Sequence, residues 1–290
     1  MTRRMTRRPF DDSPDLSKTH RMTQPTDRGA ELRALYAAQG GVRTIFSAKV
    51  NDYVASRPDY PAALFESLRE HAALQAGSVV ADVGAGTGLL THGLLQRGCS
   101  VGAVEPNPAM RAAADHWLGD MPGYRSAEGS AEHLPLADRS VDLITAAQAF
   151  HWFEVDAART ECLRVLRPHG QVALIWNDRR RNDPLHEALD GVFNQFGGAK
   201  RTALVVHEDR AEVPRFFGST TARAFAWPHE HHLSAAALAS LVFSRSYMPE
   251  RDSATGQAVE DALRGVFARF AVDRKVAVRY TTVAMVGRPG

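Results

Sequence analysis

Residues Ser78 to Gly98 read SVVADVGAGTGLLTHGLLQRG. The apolar run Val79–Val83 is typical of a buried parallel strand, and leucines at helical spacing follow the glycines. Glycines between a strand and a helix allow tight backbone angles and let a ligand approach the main chain closely. The first N–H groups of the following helix then point at that ligand. The stretch therefore predicts the first strand–turn–helix unit of a doubly wound α/β sheet.

The spacing of the glycines distinguishes two kinds of ligand. A dinucleotide fingerprint needs glycine at its first, third and sixth positions, which here are Gly84, Gly86 and Leu89, so the sixth position fails. The pattern Asp82-x-Gly84-x-Gly86-x-Gly88 instead resembles motif I of class I S-adenosylmethionine (AdoMet) dependent methyltransferases. The resemblance implies AdoMet as the cofactor, with its methionine end and ribose held by Asp82, Gly84, Ala85, Gly86, Thr87 and Gly88.

An acidic residue ends the second predicted strand, Ser100–Val104. Glu105 follows the glycines by about twenty positions, where a carboxylate accepts both hydroxyls of a ribose. AdoMet sites and dinucleotide sites share this contact, so Glu105 indicates a ribose without identifying the cofactor. Pro106 and Asn107 begin the next helix, and its Met110 either covers the adenine or packs in the core.

Residues 129–136, GSAEHLPL, are similar to a loop of the same family that contacts the adenine. The first position of that loop is usually Asp and here is Ser130, which can still form a hydrogen bond. The backbone N–H of Ala131 is the contact that depends least on side-chain identity. The resemblance thus adds Ser130, Ala131 and Glu132 to the predicted cofactor site.

The predicted fourth strand, Val141–Ala147, leads into Gln148-Ala149-Phe150-His151-Trp152-Phe153 at the edge of the sheet where ligands bind. The sequence AFHWF is typical of the branch that contains the trans-aconitate-methyltransferase-like and "type 11" small-molecule enzymes. This resemblance implies cofactor contacts from Gln148, Ala149 and Phe150. Enzymes that methylate base amino groups usually carry Asn/Asp-Pro-Pro-aromatic here, so nucleic-acid amino methylation is disfavoured.

His151 is the candidate catalytic residue, because histidine titrates near neutrality and suits a general base. The alternative is a histidine that only lines the pocket. Segments around Arg57 and Arg245 are similar to substrate-facing segments of the same branch, and either arginine could clamp a carboxylate. Plain helix packing is the alternative for Tyr53 and Arg57. The implied substrate pocket comprises Tyr53, Arg57, Tyr60, His151, Trp152, Trp176, Arg245 and Tyr247.

The resemblance also implies a complete fold. We expect a Rossmann-like doubly wound seven-stranded sheet of order 3-2-1-4-5-7-6, its last-numbered strand antiparallel, with an N-terminal helical cap and a late helical insertion. We expect a disordered extension over residues 1–41, cap helices over 42–75, an AdoMet-binding core over 76–180, and a substrate-side part of the same domain over 181–290.

Composition and charge narrow the class of protein. Hydrophobic residues make up 44% and charged residues 23%, as in ordinary soluble proteins, and the two cysteines suggest no disulfide framework. Residues 1–30 hold seven Lys/Arg against four Asp while the whole chain carries a net charge of +2, so the body is nearly neutral. Such a body disfavours a nucleic-acid partner, and no apolar run long enough for a membrane span occurs. We expect a cytoplasmic monomer or homodimer.

The sequence thus predicts an AdoMet-dependent methyltransferase for a small-molecule acceptor, by O-, C- or N-methylation with carboxylate or hydroxyl favoured. A non-catalytic binding or regulatory protein with this fold is the first alternative, since methyl transfer needs few obligatory side chains. An NAD-dependent oxidoreductase is the second, and Leu89 argues against it. The segment His229-Glu230-His231-His232 is not an HExxH motif, so we predict no metal.

Overall fold

The computed structural model describes residues 49–180, 182–207, 210–218 and 222–290. The extension predicted over residues 1–41 and the start of the predicted cap lie outside the described residues. Within the ranges described, no helix combines the length and the apolar character that crossing a bilayer requires.

Seven strands and ten α-helices make up the described chain. The strands are β1 (Val79–Val83), β2 (Ser100–Val104), β3 (Tyr124–Ala127), β4 (Val141–Ala147), β5 (Leu166–Arg179), β6 (Arg223–Leu233) and β7 (Val276–Gly287). The helices are α1 (Val50–Ser56), α2 (Ala62–His71), α3 (Leu89–Leu95), α4 (Pro108–Leu118), α5 (Val155–Val165), α6 (Pro184–Phe196), α7 (Gly198–His207), α8 (Val213–Phe217), α9 (Ala235–Phe243) and α10 (Ala254–Phe270). A short 3₁₀ helix, Phe150–Trp152, follows β4.

The strands form one sheet in the order β3-β2-β1-β4-β5-β7-β6. Strands β1 to β5 pair in parallel, and β7 runs antiparallel to both β5 and β6. The predicted strand order and the antiparallel β7 are therefore confirmed. The order reverses direction between β1 and β4, and ligands of open α/β sheets bind outside the carboxyl ends of the strands at such a point.

Strands β5 and β6 extend beyond their predicted ends. The segments Gln171–Trp176 and Ala222–Trp227 predict shorter strands from their sequence, but β5 continues to Arg179 and β6 to Leu233. The pairing of β6 with β7 runs without interruption from Arg223 to Leu233 and supplies the backbone hydrogen bonds for this extension. Pro228 is tolerated because β6 is the edge strand of the sheet.

Helices cover both faces of the sheet, as its buried parallel strands require. One face packs on α2 and α3 through residues such as Leu64, Phe65 and Leu94, and the other packs on α5 and α8 through residues such as Ala158 and Phe216. A third apolar cluster joins α6, α9 and α10 to the far ends of β6 and β7. The late helices therefore stand above the carboxyl edge of the antiparallel part of the sheet.

Helix α1 is fastened to the end of α9 by charged groups. The buried Lys49 Nζ donates to the carbonyl oxygens of Phe243 (2.9 Å) and Met248 (3.1 Å). Arg251 Nη2 donates to Asp52 Oδ1 at 2.7 Å. A cation at a helix C-terminus also interacts favourably with the carbonyl groups that end the helix.

Replacing Lys49 by Met tests this attachment. The variant loses both donors and leaves two carbonyl groups without their partner, so we expect the free energy of unfolding to fall by about 1–3 kcal/mol in urea titrations. Lys275→Met, which changes an exposed lysine, is the matched control and should stay within about 0.5 kcal/mol of the wild type. Equal stabilities of the two variants would contradict the assignment.

Candidate active site

The glycine turn after β1 has one packed position and one open position. Gly84 and Gly86 have φ values of 69° and 57°, a region that side-chain-bearing residues rarely adopt. A Cβ added at Gly84 would lie 2.6 Å from the Cβ of Ala149, whereas a Cβ at Gly86 would meet nothing within 4 Å. Gly84 thus allows the β4 loop to approach closely, and Gly86 leaves a space that a side chain would partly fill.

A narrow cleft lies beside this turn, at the carboxyl ends of β1 and β4. Its walls come from Tyr60, Asp82, Gly84, Ala85, Thr87, Leu89, Leu90 and Ala147. Five of the predicted cofactor and substrate residues therefore meet in one place. Tyr60 belongs to the segment between α1 and α2, so the N-terminal cap contributes a wall of this cleft. The apolar members Leu89, Leu90 and Ala147 were missed, since nothing in their chemistry marks them.

The carboxylate of Asp82 is fixed by two threonine hydroxyl groups. Thr91 Oγ1 donates to Asp82 Oδ2 at 2.6 Å, and Thr145 Oγ1 donates to Oδ1 at 2.8 Å. Asp82 is 1% exposed, and burial raises the pKa of its carboxyl group although both hydroxyl groups oppose that shift. Sequence reasoning missed both threonines; the one available signal was a hydroxyl at Thr145 inside the otherwise apolar strand β4.

Glu105 lies beside the open side of Gly86. Its Oε2 accepts the Gly86 N–H at 2.9 Å and its Oε1 accepts the Asn107 N–H at 2.8 Å. Burial raises the pKa of Glu105, and these two backbone donors oppose the shift. Asn107 Oδ1 in turn accepts from the N–H groups of Ala109 and Met110 and caps α4. The end of β2, the glycine turn and the start of α4 are thereby held together.

The predicted adenine-side residues are positioned mainly by backbone contacts. Ser130 and His133 exchange two backbone hydrogen bonds, at 3.3 and 3.1 Å, which form a tight turn. Ala131 and Met110 are buried. Glu132 Oε1 accepts the N–H of Glu154 at 2.8 Å, so this carboxylate joins the turn to the start of α5.

The predicted site residues of the loop after β4 lie in different surroundings. Gln148 has a φ of 56°, rare for a residue with a side chain, and its Nε2 donates to the carbonyl oxygen of Asn177 at 3.4 Å. The ring of Phe150 packs edge-on against Trp176, with 6.3 Å between centroids, inside the core. His151 lies next to Trp152 with 4.9 Å between ring centroids, and both are half-buried.

A second cluster lies at the far ends of the antiparallel strands. Arg179 on β5, Tyr280 on β7 and His229 on β6 are directly opposite one another, so they share one face of the sheet. Burial raises the pKa of Tyr280, and the charges of Arg245, Arg57 and Arg179 oppose that shift. Three arginines from three separate segments thus lie in the neighbourhood of this buried side chain. A cavity of about 240 Å³ adjoins it, lined by Arg180, Pro228, His229, Glu230, Arg279 and Tyr280.

Aromatic rings and one carboxylate complete this cluster. The guanidinium groups of Arg179 and Arg245 lie 5.4 and 5.6 Å from the ring centroid of Phe193. The ring of Tyr247 meets Phe193 edge-on at 5.8 Å. Asp190 accepts from Arg179 at 2.7 Å and thus offsets part of the positive charge.

Trp176, a predicted substrate residue, is not brought into the cluster. Trp176 is 8% exposed and belongs to the core on the other side of the sheet, because adjacent residues of a strand point to opposite faces. The guanidinium of Arg210 covers its ring at 4.3 Å. Tyr53 lies on α1, and its side chain is outside the described residues. In the described ranges no group of three or more His, Cys, Asp or Glu side chains could hold a metal ion.

Comparison with known proteins agrees with this geometry. A family model described as "Methyltransferase domain" matches residues 81–174, from β1 to the middle of β5. An uncharacterized methyltransferase of Mycobacterium tuberculosis is 33% identical over 243 residues, which cover 83% of this chain and 93% of that protein. An uncharacterized methyltransferase-like protein of Schizosaccharomyces pombe is 30% identical, covering 82% and 93% of the two chains.

A solved structure shares the fold. It is that of a protein described as a "Putative Type II Methyltransferase" from Anaeromyxobacter dehalogenans, and it superposes with a TM-score of 0.56 at 24% identity. The match covers 80% of this chain and 97% of the other. At this level of identity the likeness shows the fold alone.

The sheet order, the glycine turn and the acidic residue after β2 define an AdoMet-binding α/β domain. The chain belongs to the methyltransferase family, and its cofactor is S-adenosylmethionine. Membership in the trans-aconitate-like branch stays a prediction.

Replacing Asp82 by Asn tests the buried carboxyl group. A folded-state pKa above the unfolded value means that the wild type is favoured at low pH and loses stability as pH rises. Asn stays neutral, so the stability of the wild type relative to Asp82→Asn should fall with pH above about 4, by up to about 1.4 kcal/mol per pH unit. Urea unfolding at a series of pH values measures the trend. The exposed control Asp120→Asn should show none, and a constant difference for Asp82→Asn would refute the raised pKa.

Proposed function

We propose that the protein transfers the methyl group of AdoMet to a small anionic acceptor, at a carboxylate or hydroxyl oxygen. The observation that carries the proposal is the placement of three arginines in one region. Arg179 lies opposite Tyr280 in the β5–β7 pair, and both Arg179 and Arg245 approach the ring of Phe193. Arg57 Nη2 lies 3.5 Å from the carbonyl oxygen of Ser244, the residue before Arg245. Arginine binds carboxylates in a two-pronged geometry, and aromatic rings beside it suit an apolar acceptor body. The same positive charge would repel a cationic acceptor.

The residues present fit the cofactor. The open side of Gly86 and the adjacent carboxylate of Glu105 suit a ribose, since each carboxylate oxygen has a second lone pair beyond the bond that it already accepts. The cleft between the glycine turn and Tyr60 suits the methionine end, with Thr87 and Ala85 in its walls. The buried Met110 and the turn at Ser130 and Ala131 are the residues that would hold the adenine. When bound, AdoMet supplies an electrophilic methyl group on a positively charged sulfur.

The protein's own contribution is alignment and exclusion of water. Tyr60 lies between the cleft and the cap, so the cap closes the site on the side of the cofactor. Holding two reactants in line can contribute several kcal/mol to the lowering of the barrier. A carboxylate acceptor needs no base. With a hydroxyl acceptor, His151 after β4 is the residue that we propose to receive the proton.

Replacing Glu105 by Gln tests the ribose contact. One carboxylate oxygen becomes an NH₂ group that cannot accept a hydroxyl or an N–H donor, so S-adenosylhomocysteine should bind about 10- to 100-fold more weakly in calorimetric titrations. Glu66→Gln, at an exposed position of α2, should bind as the wild type does. NAD is the control ligand and should not bind either protein. Unchanged affinity in Glu105→Gln would remove this residue from the cofactor site.

Replacing Arg179 or Arg245 by Gln tests the acceptor site. With methyl-labelled AdoMet and a panel of aromatic and aliphatic acids beside their amides, we expect label in the acids only. For any acid that is methylated, each variant should lower kcat/KM by about 10-fold or more and leave S-adenosylhomocysteine affinity unchanged. The control is Arg264→Gln on α10, whose side chain is 72% exposed. Equal labelling of acids and amides would contradict an anionic acceptor.

A further inference from the structure

His229 has a position on the sheet that the cofactor site does not explain. It lies on edge strand β6, directly opposite Tyr280, and the two ring centroids are 6.4 Å apart. Both residues border the cavity at the ends of β6 and β7. Arg179 continues the same row on the other side of Tyr280. The row therefore carries a cation, a phenol and an imidazole side by side.

The imidazole of His229 lacks a bond that burial normally requires. Its Nε2 is buried, and no described residue forms a hydrogen bond with it. Buried polar side-chain atoms nearly always have a partner in native proteins, and each exception calls for an explanation. Rotation about the bond between Cβ and Cγ, a soft torsion in histidine, can re-aim Nε2 toward an added partner. A polar atom of a ligand beside the ring would supply the missing bond.

The Tyr280 hydroxyl is the second polar group of this wall. The side chain of Tyr280 is only 3% exposed, and burial raises the pKa of the hydroxyl group, so it stays protonated around neutral pH. Burial lowers the pKa of His229, and Asp59 opposes that shift, so the ring is neutral around neutral pH. A neutral imidazole offers one donor and one acceptor, and a phenol offers the same pair. Together they match an uncharged hydroxyl group, whereas the arginines match an anion.

We propose that the acceptor is a hydroxy acid, whose carboxylate lies among Arg57, Arg179 and Arg245 and whose hydroxyl group is bound by His229 and Tyr280. This inference rests on the proposed function, because it places the second polar group of the same acceptor. His229 is then a specificity-determining residue that sequence patterns near the cofactor do not reveal. The order of the row places the hydroxyl site farther toward the sheet edge than the carboxylate site.

Matched pairs of acids test the proposal. The probes are 3-phenyllactate with 3-phenylpropionate, malate with succinate, and 4-hydroxybenzoate with benzoate, titrated calorimetrically into the full chain saturated with S-adenosylhomocysteine. We expect the hydroxy member of at least one pair to bind about 10-fold more tightly. In His229→Leu that advantage should fall below about 3-fold, while the unhydroxylated acid keeps its wild-type affinity.

The matched control is His232→Leu, because His232 points to the opposite face of the same strand and its side chain is 57% exposed. It should keep the full advantage of the hydroxy acid. Tyr280→Phe is the second test variant: it keeps the ring, removes only the hydroxyl group and should also lower the advantage. Unchanged binding of S-adenosylhomocysteine shows that each variant is folded.

The outcomes separate the two proposals. If acids bind through the arginines but hydroxylation brings no advantage in any pair, or the advantage survives in both His229→Leu and Tyr280→Phe, the hydroxy-acid inference is wrong and the anionic acceptor stands. If no acid binds and Arg179→Gln changes nothing, both proposals are overturned.

Discussion

The bonding of one buried carboxylate underlies the cofactor half of the structure. Removing Asp82 from water is costly, and the hydroxyl groups of Thr91 and Thr145 replace part of the lost hydration. Because these groups belong to β1, α3 and β4, the same contacts hold the glycine turn between the two strands where the order of the sheet reverses. The open side of Gly86, the approach of Ala149 to Gly84 and the position of Glu105 all require that turn to stay in place.

Much of the fold could be predicted because its signals are local. A strand, a glycine turn and a helix within Ser78–Gly98 indicate the first unit, and the family resemblance carried the strand order, which the structure confirms. The lengths of β5 and β6 could not be predicted in the same way. The segment Pro228–His232 is polar and contains a proline, and it is a strand only because β7 pairs with it along its whole length. That partner lies about fifty residues later in the chain.

The cofactor residues and the residues of the second cluster differ in how well the sequence predicts them, and the reason is again whether the signal is local. The predicted cofactor residues come from short motifs at the ends of consecutive parallel strands, and four of them, Asp82, Gly84, Ala85 and Thr87, line one cleft. Arg179, Tyr280 and His229 come from three strands separated in sequence, and only the register of the antiparallel pairs aligns them. Trp176 shows that the prediction of a pocket residue depends on strand register, since this residue lies three positions before Arg179 and points to the other face. Arg57 and Arg245 were predicted from the sequence because their surroundings resemble known segments, and their role stays a prediction.

The sheet has a parallel part beside the cofactor residues and an antiparallel part at β7 and β6, and this arrangement has a consequence for the evolution of such proteins. The parallel strands carry the cofactor residues, which the contacts of Asp82 and Glu105 hold in place. The row on β5, β7 and β6 lies in the antiparallel part of the sheet. An edge strand can exchange its cavity-facing side chains without altering the backbone pairing. Selection for a new acceptor can therefore act on a few alternate positions of the edge strand while the methyl-donor site is inherited unchanged.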